Sequence, residues 1–136
     1  AFGAGRARII AEILDSNNVE LARVVAVEDL VVSDRLASLM MTQLSQSPHL
    51  SQIFAQLFGP GGVYLNAKPI SYYLPEGQAT FAQLVAAGRA RGEVVIGYRD
   101  NEVAAGLTSG IYLNPAKDSS FVVKATDQAI VIGPVE

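Results

Sequence analysis

Between Ser33 and Phe58 the apolar residues recur at helical spacing, and on either side they fall into short runs of strand length. In SDRLASLMMTQLSQSPHLSQIFAQLF, Leu36, Leu39, Met40 and Leu44 share one face behind a helix start at Ser33 or Asp34. Leu50, Ile53, Phe54, Leu57 and Phe58 form a second stripe. Ser47-Pro48 separates the two. Proline has no N–H and disfavours helical geometry in the residue before it. The spacing therefore predicts a bent pair, with Ser47 as the second N-cap and Pro48 as the first helical residue. The pair carries more apolar surface than a connector needs. It reads either as a core helix–turn–helix or as an apolar dimerisation arm.

Upstream, Ala7 to Leu14 (ARIIAEIL) is an apolar run of strand length with Glu12 set into it. Asp15-Ser16-Asn17-Asn18 follows as a turn, and Asn17 with Glu20 has capping-box spacing before a short helix over Val19–Val25. Asp29 to Val32 is a second short apolar strand. Strands apolar on both faces and joined by a helix suggest a parallel pair covered by helices, an α/β arrangement.

The character changes at Gly59-Pro60-Gly61-Gly62. Beyond it, Val63 to Leu74 has strand composition interrupted at Lys68-Pro69, where proline marks an edge, a bulge or a strand start. Thr80-Phe81-Ala82-Gln83 is a capping box opening a helix that Gly92 closes. Val94–Tyr98, Ile111–Leu113, Phe121–Val123 and Ala129–Gly133 read as strands, and residues 100–110 as a mobile loop. This half is α+β, one or two helices on a small, mostly antiparallel sheet.

Composition narrows the chemistry. The 136 residues are 50% hydrophobic and 17% charged, enough for a sizeable core, and the absence of cysteine excludes disulfides and thiolate chemistry. Net charge is −3, and the ten basic residues are scattered, with Arg89 and Arg91 a tight pair but no larger cluster, so no nucleic-acid footprint is expected. No apolar run approaches the ~18 residues that span a bilayer. His49 is the single histidine and sits at the helical corner. There is no G-x-S-x-G elbow, no G-x-G-x-x-G and no P-loop. The carboxylates Glu12, Asp15, Asp29 and Asp34 cluster near strand ends, where oxygen ligands could hold Ca²⁺ or another hard cation. The alternative for Asp15 and Asp34 is helix capping, worth about 1 kcal/mol each. Glu12 stands out, since a carboxylate inside an apolar strand is costly unless paired or coordinated.

Three stretches carry a family resemblance. They are Arg8-Ile9-Ile10-Ala11-Glu12 through Asp29-Leu30-Val31-Val32-Ser33, the helical pair, and Thr80-Phe81-Ala82-Gln83-Leu84 with Val94-Val95-Ile96-Gly97-Tyr98-Arg99 and Asp127 to Gly133. Together they resemble the regulatory RCK domain (regulator of K⁺ conductance, the TrkA-N/TrkA-C pair) of ligand-gated potassium channels and Trk-type uptake systems. The wording LSQSPHLSQIFAQLFGPGG, GEVVIGYR and LNPAKD looks most like the CASTOR/POLLUX-type ion channels and their bacterial relatives. The resemblance implies the end of a Rossmann-like subdomain at residues 1–32, a crossover helix–turn–helix at 33–58, a linker at 59–62 and a TrkA-C-like subdomain at 63–136.

It also implies a cytoplasmic, non-enzymatic gating module on the inner side of the membrane. Such a module forms a homodimer or a higher ring, works with the pore domain of the same protein, and does not itself insert into the membrane. The dimer would form through Leu36, Leu39, Met40, Leu50, Ile53, Phe54 and Leu57. In calcium-gated members an AExE-like stretch supplies two carboxylates; here it is Ala11-Glu12-Ile13-Leu14, so Glu12 matches the first and Leu14 replaces the second. A metal site would then rest on Glu12, with Asp15 adjacent. The family's nucleotide-binding glycine loop would lie upstream of residue 1, so nucleotide binding by this chain alone is not expected. Two rival readings are the back half of a Rossmann-type enzyme and a stand-alone Ca²⁺-binding module.

Overall fold

Two four-residue strands, β1 (Ile10–Ile13) and β2 (Asp29–Val32), pair in parallel in the computed structural model, with Ile10 opposite Asp29 and Ile13 opposite Val32. The structure describes residues 10–20, 29–61, 63–103 and 110–134. The chain divides into two compact units, Ala1–Ile53 and Phe54–Glu136. The parallel pairing follows the expectation; the burial does not. Ile10 and Val31 are exposed, and no described side chain of the first unit is fully buried. Most of the helix expected over Val19–Val25 falls on residues 21–28, outside the described residues.

Local signals near the first helices are corrected in three places. Asp15, not Asn17, is the capping residue, and it closes a single 3-10 turn over Ser16–Asn18. Helix α1 (Ser33–Gln46) starts behind Val32 with no side-chain cap bond, because Ser33 and Asp34 have other partners. Ser47 ends α1 in extended geometry, and α2 (Leu50–Phe58) begins after Pro48, not at it. The reason is His49. Its backbone is left-handed (φ 72°), and its carbonyl accepts the N–H groups of Gln52 at 3.0 Å and Ile53 at 3.4 Å. Along α1, the hydroxyls of Ser38, Thr42 and Ser45 donate to carbonyls of the preceding turn. The polar face is thus satisfied without a partner.

The second unit holds β3 (Tyr64–Pro69), β4 (Gly77–Thr80), α3 (Phe81–Ala90), β5 (Val94–Arg99), β6 (Ile111–Leu113), β7 (Ser120–Val123) and β8 (Gln128–Gly133). An antiparallel sheet runs in the order β3-β8-β5-β6, and β4 pairs antiparallel with β7 in a separate ribbon. Pro69 ends β3, an edge strand, where its missing N–H breaks no ladder. Alternation along β8 puts Ala129 and Val131 into the core. They meet Ile70, Phe81, Leu84, Val95 and Tyr98, with Ala79 and Val123 from the ribbon.

One inserted residue sets the phase of β5. Val95 pairs with Val131 but Gly97 pairs with Ile130, so Ile96 is the extra residue of a bulge, and its carbonyl accepts the Asn114 N–H at 2.7 Å. Both Val95 and Tyr98 therefore reach the core, which unbroken alternation would forbid. Tyr98 stacks on Phe121 (centroids 4.2 Å apart) and Tyr112 (4.9 Å) and tilts against Phe81 (6.5 Å).

Helix α3 is bounded as the sequence predicts. Thr80 Oγ1 accepts the Gln83 N–H at 3.3 Å, and the Gln83 side chain accepts the Thr80 N–H at 2.8 Å. At the other end Gly92 is left-handed (φ 74°). The Gly92 and Glu93 N–H groups return to the Arg89 and Gly88 carbonyls at 3.0 Å each, a Schellman closure. Gly88 lets the helix lie against β5, since a Cβ there would stand 2.4 Å from Val95 Cγ2. Helix propensity alone favours alanine over glycine by about 1 kcal/mol. Crowding against a buried, β-branched Val95 reverses the sign, and Gly88→Ala should destabilise the unit by about 1–3 kcal/mol. A higher urea midpoint for the variant would show that the helix–strand spacing is slack.

Candidate functional site

Of the carboxylates singled out at the strand ends of the first unit, Glu12, Asp15 and Asp34 each have a protein partner, and the Asp29 side chain lies outside the described residues. Glu12 is exposed, not enclosed in an apolar strand, and accepts a short hydrogen bond from the Ser33 hydroxyl. Asp15 accepts the N–H and the side-chain amide of Asn17, both at 2.9 Å. Asp34 accepts the Ser16 N–H at 3.1 Å and the Arg35 N–H at 2.6 Å, and the Ser16 bond above all holds its carboxyl below the ordinary value. These bonds tie the end of β1 to the start of α1. Among the described residues no group of three or more His, Asp or Glu side chains is placed to hold a metal ion. The Ca²⁺ expectation at Glu12 and Asp15 gains no support from this geometry.

The apolar helical pair is the second candidate. Neither α1 nor α2 contains a buried residue. Leu36, Leu39 and Ile53 are exposed, whereas Met40, Leu50, Phe54 and Leu57 are half-buried. Met41 and Phe58, outside the predicted interface set, are also exposed, and Phe58 stacks on Phe54 at 6.2 Å. Among the described residues the stripe is thus only partly covered, three of its seven positions being exposed.

A third site escaped the sequence reading. Lys68 near the end of β3 and Glu93 just before β5 are only 9% and 8% exposed. Lys68 Nζ stands 2.7 Å from Glu93 Oε1, and the Tyr73 hydroxyl donates to the other carboxylate oxygen. The Arg91 guanidinium lies 5.6 Å from the centre of the Tyr73 ring. The Lys68 and Tyr73 hydrogen bonds hold the Glu93 carboxyl below its ordinary value. Desolvation first, and then the neighbouring carboxylate, push the Tyr73 phenol up to about 12. The only cue in the sequence was Lys68 beside a strand-breaking proline; nothing local ties it to Glu93, 25 residues on.

A further polar knot anchors the loop after β5. Lys124 Nζ contacts Asp100 at 3.2 Å and Glu102 at 3.0 Å, and the buried Asp127 carboxylate accepts the Lys124 and Asn101 N–H groups. Desolvation works against ionisation of Asp100, but the Glu102 and Val103 N–H groups and Lys124 outweigh it and keep its carboxyl low. The loop expected over residues 100–110 falls partly on 104–109, outside the described residues.

The buried triad fixes a pH window. A depressed Glu93 carboxyl adds stability that is present above the unfolded value near 4.3 and lost as pH falls through the folded one. A raised Tyr73 phenol adds stability that is present below about pH 10 and lost as pH climbs toward about 12. Lys68→Met strands a buried carboxylate and should cost roughly 3 kcal/mol at neutral pH. In the variant, stability should recover on mild acidification, where the wild-type chain weakens; urea melts across pH read both. Parallel pH profiles for the two proteins would contradict the pairing.

No protein-family model matches the chain. The ion channel POLLUX of Lotus japonicus is 34% identical over 92 residues, which are 67% of this chain and 10% of that protein. The ion channel DMI1 of Medicago truncatula is 32% identical over 125 residues, covering 88% of this chain and 14% of the relative. A solved structure described as the GsuK channel bound to NAD is 17% identical, with a TM-score of 0.43 over 93% of this chain and 20% of its own. The assignment rests on the sequence relatives, of which this chain spans about a tenth to a seventh of the length. The chain is a homologue of the POLLUX, CASTOR and DMI1 ion channels, matching one short segment of them.

Proposed function

We propose that this chain is the RCK-type regulatory part of a cation channel. It would sit on the cytoplasmic side of the membrane, act by assembly with further copies and with a pore, and carry out no catalysis. The observation that carries this reading is the alignment with the ion channel DMI1 at 32% identity over 88% of the chain. None of the described helices is long and apolar enough to cross a membrane, so a pore would be formed by other segments. Gating follows from assembly: a ligand or an ion shifts such a ring only through different affinities for its closed and open arrangements.

The open stripe on α1 and α2 supports the assembly step. Leu36, Leu39, Met40, Leu50, Ile53, Phe54 and Leu57 offer aliphatic and aromatic surface that water solvates poorly, worth about 25 cal/mol per Å² once covered. A second copy of the same pair would cover it across a two-fold axis, each helix meeting its equivalent. Light scattering on the purified chain should give a dimer at micromolar concentration. Leu39→Asp, which adds charge to an exposed position, should return it to a monomer without loss of secondary structure. A monomer at high micromolar concentration, unchanged by the substitution, would sink the assembly step. Turnover of a substrate, or tight NAD(H) binding by the chain alone, would favour the enzyme-fragment reading instead.

A further inference from the structure

The four-stranded sheet is apolar on both faces. Ala129 and Val131 of β8 point into the core, so Ile130 and Ile132 between and beyond them point the other way. The ladders extend these two into rows. Leu65, Ile132 and Val94 lie side by side in one, and Ala67, Ile130, Gly97 and Leu113 in the next. Ile111 belongs to a third row, beside Arg99 and Gln128. Val94 and Leu113 are each 62% exposed, against 5% for Val95 on the core face, and Leu65 and Ile111 are exposed as well. An antiparallel sheet with one solvated face ordinarily alternates apolar with polar residues. This outer face carries one charge, Arg99, and reads as a surface made for a further layer.

We propose that a second copy of the chain supplies that layer, the two C-terminal units stacking outer face on outer face about a two-fold axis that crosses the strands. Area, relief and charge all suit a like partner. Four strands about 4.8 Å apart and five residues about 3.3 Å apart make a footprint of roughly 300 Å² in projection. Side-chain relief adds to it, so two stacked copies bury on the order of 1,000 Å² in all, the lower limit of a specific contact. Ala67 and Gly97 flank Ile130 across the middle row and leave hollows that the ridges of a facing sheet can enter. The axis carries the partner's Arg99 to the opposite end of the face. The two guanidinium groups then stand about 13 Å apart along the strands, beyond the reach of screened repulsion. An anionic lipid surface suits the face less well, since the chain has a net charge of −3 and this face offers one cation. A contact of this size is weak and gains from a tether. It is separate from the helical contact and does not depend on channel regulation.

Sedimentation equilibrium of the 136-residue chain from micromolar to millimolar concentration tests the proposal. The mass should double between about 0.2 and 2 mM, the range of a weak contact. The doubling should occur in the wild-type chain and equally in Leu39→Asp. The mass at low concentration therefore reports the helical contact, and the doubling reports the sheet contact. Val94→Lys and Leu113→Glu change exposed positions on different strands and should each abolish the doubling while leaving the circular dichroism and the urea midpoint of the chain in place. An equimolar mixture of Val94→Lys and Val94→Glu chains should double again, because across a face-to-face contact each charge finds its opposite. Three results would overturn the proposal. They are a constant mass across the range, doubling in Val94→Lys as in the wild type, or binding to phosphatidylcholine–phosphatidylserine vesicles that Val94→Lys removes, which would give the face to lipid.

Discussion

The C-terminal unit depends on the extra residue at Ile96. Strands alternate their side chains between faces, so Val95 and Tyr98, three positions apart, belong on opposite sides of a regular sheet. The bulge moves both to one side. From there Val95 meets Gly88 of α3, and Tyr98 gathers Phe81 from the helix, Phe121 from the ribbon and Tyr112 from the edge strand. Helix, ribbon and sheet are held together by one aromatic ring whose direction a single residue sets. The same phase carries Glu93 to the end of the core face, where Lys68 and Tyr73 meet it.

Much of this unit was legible because its signals are local. Thr80 and Gln83 form their reciprocal bonds across one turn, Gly92 supplies a conformation that other residues avoid, and β6 falls on Ile111–Leu113 as read. What escaped was tertiary in origin. Strand β4 (Gly77–Thr80) has no β-branched residue before Thr80, which reads as the cap of α3, and it is held as a strand by pairing with β7. Lys68 and Glu93 likewise find each other only after β3 and β5 are placed on either side of β8.

The N-terminal unit shows the opposite balance. Its strand pairing and its helical stripes follow from periodicity, yet the capping assignments failed at Ser33, Asp34 and Pro48. In each case a competing bond won: Glu12 takes the Ser33 hydroxyl, Ser16 occupies the Asp34 carboxylate, and the left-handed His49 carbonyl starts α2. The candidate cation ligands were visible as residues, but whether they were free or engaged was not. A sequence lists carboxylates; only the fold says which already have a donor. The apolar stripe itself was easier to read, because its spacing is a property of pattern alone.

The uncovered faces of α1 and α2 also bear on synthesis. A ribosome releases the N-terminal unit first, and among its described residues that unit closes no core of its own. The C-terminal unit, whose core runs from Ile70 to Val131, emerges later and is self-sufficient. Among the described residues, the unit that leaves the ribosome later is thus the one with the formed core.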